Sequence, residues 1–118
     1  MKLETFSLDV DADGIAVATF DVPGRSMNTL TARAIQDLSA IADEVGSNAT
    51  IKGLVITSGK TSGFCAGADL GELGGGSGGG DKGDPEAQLK AAFDRSFQIN
   101  KILRNLETCK KPVAAAIN

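Results

Sequence analysis

Two short apolar runs constrain this chain more than any other feature: residues 51–58, "IKGLVITS", and residues 112–118, "PVAAAIN". Neither alternates polar with apolar side chains, so both read as buried strands of a parallel sheet. Parallel neighbours need a crossover, usually helical, and each run has a helical pattern ahead of it. Before the first, Leu30, Ala34, Ile35, Leu38, Ile41, Ala42 and Val45 recur at spacings of three and four, with Arg33, Gln36, Asp37, Asp43 and Glu44 opposite and Gly46 as the stop. Before the second, Asp84 and Pro85 suit the N-cap and the first helical position. Leu89, Ala92, Phe93, Phe97, Ile99, Leu103 and Leu106 then form an apolar band facing away from Lys90, Asp94, Gln98, Lys101 and Asn105, so one side is expected to pack. Alternation at Phe6, Leu8 and Val10, the turn "DADG", and alternation over residues 15–20 predict a β-hairpin at the start. The class is α/β with right-handed crossovers. Three parallel strands leave little surface to cover helices, so the sheet is expected to be incomplete within these 118 residues.

Composition excludes several function classes. With 12 Lys and Arg against 15 Asp and Glu, spread along the chain, the net charge is -3 and no basic stripe awaits a nucleic acid. No histidine is present, which excludes a His-ligated zinc site or a Ser-His-Asp triad within the chain. Cys65 and Cys109 lack metal spacing and read as reduced, packed thiols. No run approaches the length of a membrane span and "MKLETFSLDV" has no signal-peptide core, so a cytoplasmic protein is expected.

Two nucleotide motifs fail on inspection. In "GLVITSGKT" five residues separate Gly53 from Gly59 where a phosphate loop needs four, and those five are the strand itself. Gly74, Gly76 and Gly79 satisfy G-x-G-x-x-G only because the run 74–83 is nearly polyglycine; it is expected to be a mobile surface loop.

What remains is "SGFCAGADLGEL", residues 62–73, at the C-terminal end of the first buried strand. Its small residues allow a ligand to approach the main chain, and open parallel sheets bind ligands at that edge. A backbone N–H in "CAGAD" can stabilise a developing oxyanion with no acidic or basic side chain. The same residues also fit a tight turn in which Gly67 permits the bend and Asp69 caps a short helix, and the local sequence leaves both open.

Taken in order, "MNTL", "FCAGADL" and "KPVAAAIN" resemble the N-terminal half of the enoyl-CoA hydratase (crotonase) superfamily, from the hairpin to Asn118. "VPGRSMNTL" is similar in particular to the hydratase domain of multifunctional fatty-acid oxidation proteins, which join hydratase to 3-hydroxyacyl-CoA dehydrogenase. The resemblance implies a crotonase-like (ClpP/crotonase) α/β fold, with residues 1–118 forming the first part of the domain. It implies an acyl-CoA thioester whose carbonyl sits between two backbone N–H donors, the first being the amide of Ala68, which follows Gly67. Ala66, Asp69 and Leu70 are then expected along the CoA path, and Ser26, Met27 and Asn28 beside the pantetheine channel.

The family's second donor and its two water-handling glutamates lie beyond the position matching Asn118, so these residues alone are expected to be inactive. Glu72, Asp69 and Glu107 match no catalytic position of the family, and solvated or capping roles explain them better. Hydration of 2-enoyl-CoA to 3-hydroxyacyl-CoA needs no cofactor; NAD enters only with an attached dehydrogenase domain. The resemblance also implies a trimer-type homo-oligomer. Two other readings fit the same residues: a different superfamily reaction on acyl-CoA, such as isomerisation or thioester hydrolysis, and a non-catalytic module that assembles through its last strand.

Overall fold

The computed structural model describes residues 1–69, 71 and 85–118. The expected N-cap Asp84, Leu70, Glu72 and the glycine-rich run 74–83 lie outside the described residues. Strands β1 (Phe6–Val10) and β2 (Ile15–Phe20) form the hairpin, followed by helix α1 (Ala32–Ser47), strand β3 (Gly53–Ser58), helix α2 (Pro85–Thr108) and strand β4 (Val113–Ala116). The sheet runs in chain order, β1-β2-β3-β4, with β1 antiparallel to β2 and the other pairs parallel. The hairpin and the α/β alternation thus stand where the sequence puts them.

The hairpin turn depends on Gly14. Its φ is +84°, and a Cβ there would sit 2.6 Å from the Thr50 carbonyl oxygen, so both conformation and space demand glycine. The register of β1 on β2 pairs Phe6 with Phe20, whose rings stack with centroids 4.4 Å apart. Ala16, Ala18 and Phe20 turn their buried side chains to the core, and α1 answers with Ala34, Ile41, Ala42 and Val45.

The structure corrects four expectations of packing. Asp37 belongs to the buried face of α1, only 2 % exposed, because it lies three residues after Ala34 and four before Ile41 on the stripe that packs. Helix α1 does not stop at Gly46 but runs to Ser47, where Asn48 donates its N–H to Glu44 O as the cap. Of the apolar band of α2 only Leu106 is buried, joined by Ile102 from outside the expected band, whereas Leu89 and Phe93 are 73 % and 66 % exposed and Phe97 and Leu103 are exposed too. β4 is an edge strand with Ala114, Ala115 and Ala116 exposed, since β3 covers one side of it and no described strand lies on the other.

Buried polar groups lock the elements together. One carboxylate oxygen of Asp37 accepts from Glu4 N at 2.9 Å, Thr5 N at 2.7 Å and Thr5 Oγ1 at 2.7 Å, which pins the chain entering β1 onto α1. Arg33 Nε lies 3.0 Å from the other oxygen, close enough to pair but not aligned as a hydrogen bond. At the far end of α1, Lys111 Nζ donates to Val45 O at 2.6 Å and Asn48 O at 2.7 Å. An ammonium on the last carbonyls satisfies acceptors the helix leaves open and complements its dipole.

Burial of Asp37 opposes its charge, but the Thr5 and Glu4 donors, helped by Arg33, outweigh that and hold its carboxyl below the ordinary value of 3.8. A lowered folded pKa contributes stability that is complete above the unfolded pKa and is lost as pH falls through the folded one. Asp37→Asn should therefore lower stability by about 2 kcal/mol at pH 7, the scale of hydrogen bonds to a charged acceptor. In urea titrations the gap from wild type should close as pH drops below the ordinary carboxylate range.

Candidate functional site

The site forms where the loop after β2 meets the segment after β3. Asn28 joins them from beneath, at 1 % exposure. Its Oδ1 accepts from Val22 N at 2.9 Å, and its Nδ2 lies within donating distance of Phe20 O at 2.8 Å, Ser58 Oγ at 3.0 Å and Phe64 O at 3.1 Å. The two Nδ2 hydrogens are thus shared among three acceptors. One carboxamide holds the ends of β2 and β3 and the start of "FCAGAD". Ser58 Oγ extends the staple by donating to Gly63 O at 2.8 Å.

Lys60, the lysine of the rejected phosphate-loop reading, also ties loops. Its Nζ donates to Val22 O at 2.7 Å and pairs with Asp21 at 2.6 Å. It is committed to the protein's own oxygens rather than to a ligand.

Above Asn28 the two segments run side by side as a short parallel ladder. Ala66 N donates to Asn28 O at 2.8 Å, Leu30 N to Gly67 O at 2.8 Å, and Asp69 N to Leu30 O at 3.4 Å, with Leu30 bridging Ala68. In a parallel bridge the central residue of one strand bonds to the two neighbours of its opposite, so the opposite residue's own N–H and C=O point away. Leu30 is that central residue, and Ala68 is its opposite. Among the described residues no hydrogen bond uses the Ala68 N–H. Gly67 makes the turn possible with φ +105°; nothing crowds its missing Cβ, so conformation alone calls for glycine. Its N–H donates to Cys65 Sγ at 3.3 Å, and Cys65, like Cys109, is a free thiol.

Ala68 opens onto a cleft of about 650 Å³ whose described lining is Arg25, Thr29, Ala66, Ala68, Asp69 and Gly71. Ala66 and Ala68 are exposed there, while Asp69 is 6 % exposed and turned into the wall. Arg25 Nη1 pairs with Asp69 Oδ2 and lies 3.2 Å from Thr29 Oγ1, which itself donates to Asp69 Oδ2 at 3.0 Å.

Ala66, Ala68 and Asp69 come together in this lining, with Asp69 buried rather than solvated. Ser26, Met27 and Asn28 are not in the lining. Ser26 and Met27 are exposed, with Ser26 O accepting from Ser62 Oγ, and Asn28 is buried under the site rather than beside a channel. Its amide is consumed by main-chain partners, a role with no sequence periodicity. Glu107 pairs with Arg104 on the exposed face of α2, as a solvated acid should. Sequence reasoning missed Arg25 and Thr29, which sit 44 and 40 residues from the carboxylate they hold. Only a polar Arg-x-x-x-Thr before Leu30 hints at them. Among the described residues no group of His, Cys, Asp and Glu is placed to hold a metal.

The model of the enoyl-CoA hydratase/isomerase family matches residues 11–118. The chain belongs to that family. It is 41 % identical over 115 residues to the fatty acid oxidation complex subunit alpha of Shewanella amazonensis and 36 % identical over 115 residues to that of Idiomarina loihiensis. Each match covers 98 % of this chain and 15 % of the relative, so the chain spans a small part of these proteins. Among solved structures, an enoyl-CoA hydratase from Bacillus anthracis superposes with TM-score 0.75 at 25 % identity, over 97 % of this chain and 40 % of that one. An enoyl-CoA hydratase from Mycobacterium smegmatis gives TM-score 0.72 at 23 % identity, over 98 % and 40 %, a likeness of fold. The resemblance seen in "FCAGADL" and its companion motifs is thus borne out for family and fold.

Asn28→Ala leaves Val22 N–H and Phe64 O without their partner, while Phe20 O keeps Gly59 N and Ser58 Oγ keeps Gly63 O. We expect a loss of about 3 kcal/mol, from a cost of roughly 1–3 kcal/mol for a buried group left unpaired. Chemical denaturation measures it, and a loss below about 1 kcal/mol would mean that water replaces the carboxamide.

Proposed function

We propose that this chain supplies the acyl-CoA-binding part of an enoyl-CoA hydratase acting in fatty-acid β-oxidation, with the Ala68 N–H as the first oxyanion donor. The observation that carries this reading is the ladder geometry: Leu30 engages Gly67 O and Asp69 N and leaves the amide between them unspent at the wall of an open cleft. The ligand is a 2-enoyl-CoA thioester. Its carbonyl oxygen accepts from Ala68, and as water adds at C3 the negative charge moves onto that oxygen, where a fixed N–H stabilises the transition state more than the ground state. Ala66, Gly67, Asp69 and Leu70 border the thioester and CoA path in this reading, and Ser26 and Met27 lie at its outer rim.

Hydration needs no cofactor. In this reading NAD enters only with an attached dehydrogenase domain. No helix among the described residues is long and apolar enough to cross a membrane, and with two free thiols this fits a cytoplasmic location. A homo-oligomer of the trimer type is part of the same reading.

Proline at position 68 removes the donor under test without breaking a hydrogen bond of the ladder, in which the Ala68 N–H takes no part. In the full-length protein, Ala68→Pro should lower kcat for crotonyl-CoA hydration about 10²- to 10³-fold, the usual effect of losing one oxyanion donor. Ala68→Gly, which keeps the N–H, should stay within a few-fold of wild type. Equal activity in wild type and Ala68→Pro would end this reading.

A further inference from the structure

The backbone ladder holds Ala68 unevenly. On its N-terminal side Gly67 O accepts from Leu30 N at 2.8 Å, but on its C-terminal side Asp69 N reaches Leu30 O only at 3.4 Å. An oxyanion donor is effective only when fixed beforehand, and a displacement of about 1 Å can cost on the order of 10²-fold in rate. The weak side needs a second restraint, and the side chains provide one. The Asp69 carboxylate accepts from Thr29 Oγ1 and pairs with Arg25. Residue 30 thus holds the backbone of Asp69 while residue 29 holds its side chain.

The carboxylate also brings a difficulty. A bare negative charge one residue from a developing oxyanion would oppose it, strongly so away from water. Arg25 answers that charge: its guanidinium sits on the same carboxylate oxygen, with Thr29 Oγ1 3.2 Å away. We infer that Thr29, Asp69 and Arg25 form a charge-balanced positioning device for the Ala68 N–H, with Thr29 orienting the carboxylate and Arg25 cancelling its field at the oxyanion. This rests on the reading of Ala68 as a donor. Thr29 and Arg25 are positioning residues here, since they act through Asp69.

The test compares Thr29→Val, Thr29→Ser, Arg25→Met and Arg25→Met/Asp69→Asn with wild type in the full-length protein, using crotonyl-CoA and crotonyl-pantetheine, which lacks the nucleotide. Thr29→Val should lower kcat about tenfold with KM within about twofold, and Thr29→Ser should restore it. Arg25→Met should lower kcat about 10²-fold on both substrates, and adding Asp69→Asn should recover about tenfold of that by removing the unbalanced charge.

Unchanged kcat in Thr29→Val overturns the proposal, as does an Arg25→Met effect confined to KM for crotonyl-CoA and absent with crotonyl-pantetheine, the mark of a phosphate contact. Should Arg25→Met fail to fold, the Thr29 pair still decides. Ala68→Pro run alongside separates the two levels: full activity there removes the donor reading itself, whereas impairment there with normal Thr29→Val removes only the positioning role.

Discussion

The carboxamide of Asn28 is the interaction on which the cleft depends. It reaches the end of β2, the end of β3 and the first residue of the cleft-forming segment from one buried point. The ends of β2 and β3 are already joined by their own ladder, with Gly59 N donating to Phe20 O at 2.9 Å, but the loops beyond them are not. Without the carboxamide, Val22 N–H and Phe64 O would need water, and the short parallel bridge between Leu30 and Ala68 would lose the support that brings its two sides within reach. A neutral amide suits the task because it both donates and accepts, which a carboxylate or an ammonium does not.

The same economy recurs through the molecule. Asp37 fixes the chain entering β1, Lys60 ties the loop after β3 to that after β2, and Lys111 closes the end of α1. In each case one long-range side chain satisfies main-chain groups that regular structure leaves over, two each for Asp37 and Lys111 and one for Lys60. The apolar core is built mostly from alanine, valine and isoleucine, with the Phe6 and Phe20 pair at one end. Such a core specifies loop paths poorly, so the polar staples set where the loops go.

What was legible in the sequence follows this division. Strands and helices announce themselves by periodicity, and the hairpin, α1, β3, α2 and β4 all stand near the expected places. "CAGAD" was legible as a place where the main chain is accessible, because small residues at a strand end cover it little, and Ala66 and Ala68 are exposed there. Asp37 was misjudged since an acid on a helix is ordinarily wet, and its three donors lie more than 30 residues upstream. Asn28 looked like a channel residue because a motif match says which residues matter without saying which way they face. The exposure of Phe93 and Phe97 on α2 was invisible for a related reason: an apolar face signals a need for cover, and periodicity does not say whether the cover is present.

The direction of the Ala68 peptide has a consequence for how this scaffold can change over time. The N–H is a main-chain atom, so every genetically encoded replacement except proline leaves it in place. Its orientation is set in part by Leu30's backbone, a partner present whatever the side chain at position 30. Side chains around the cleft other than Arg25, Thr29 and Asp69 can therefore drift, altering which molecules fit, while that N–H is inherited unchanged. A cleft built this way can change its shape without changing its main-chain donor.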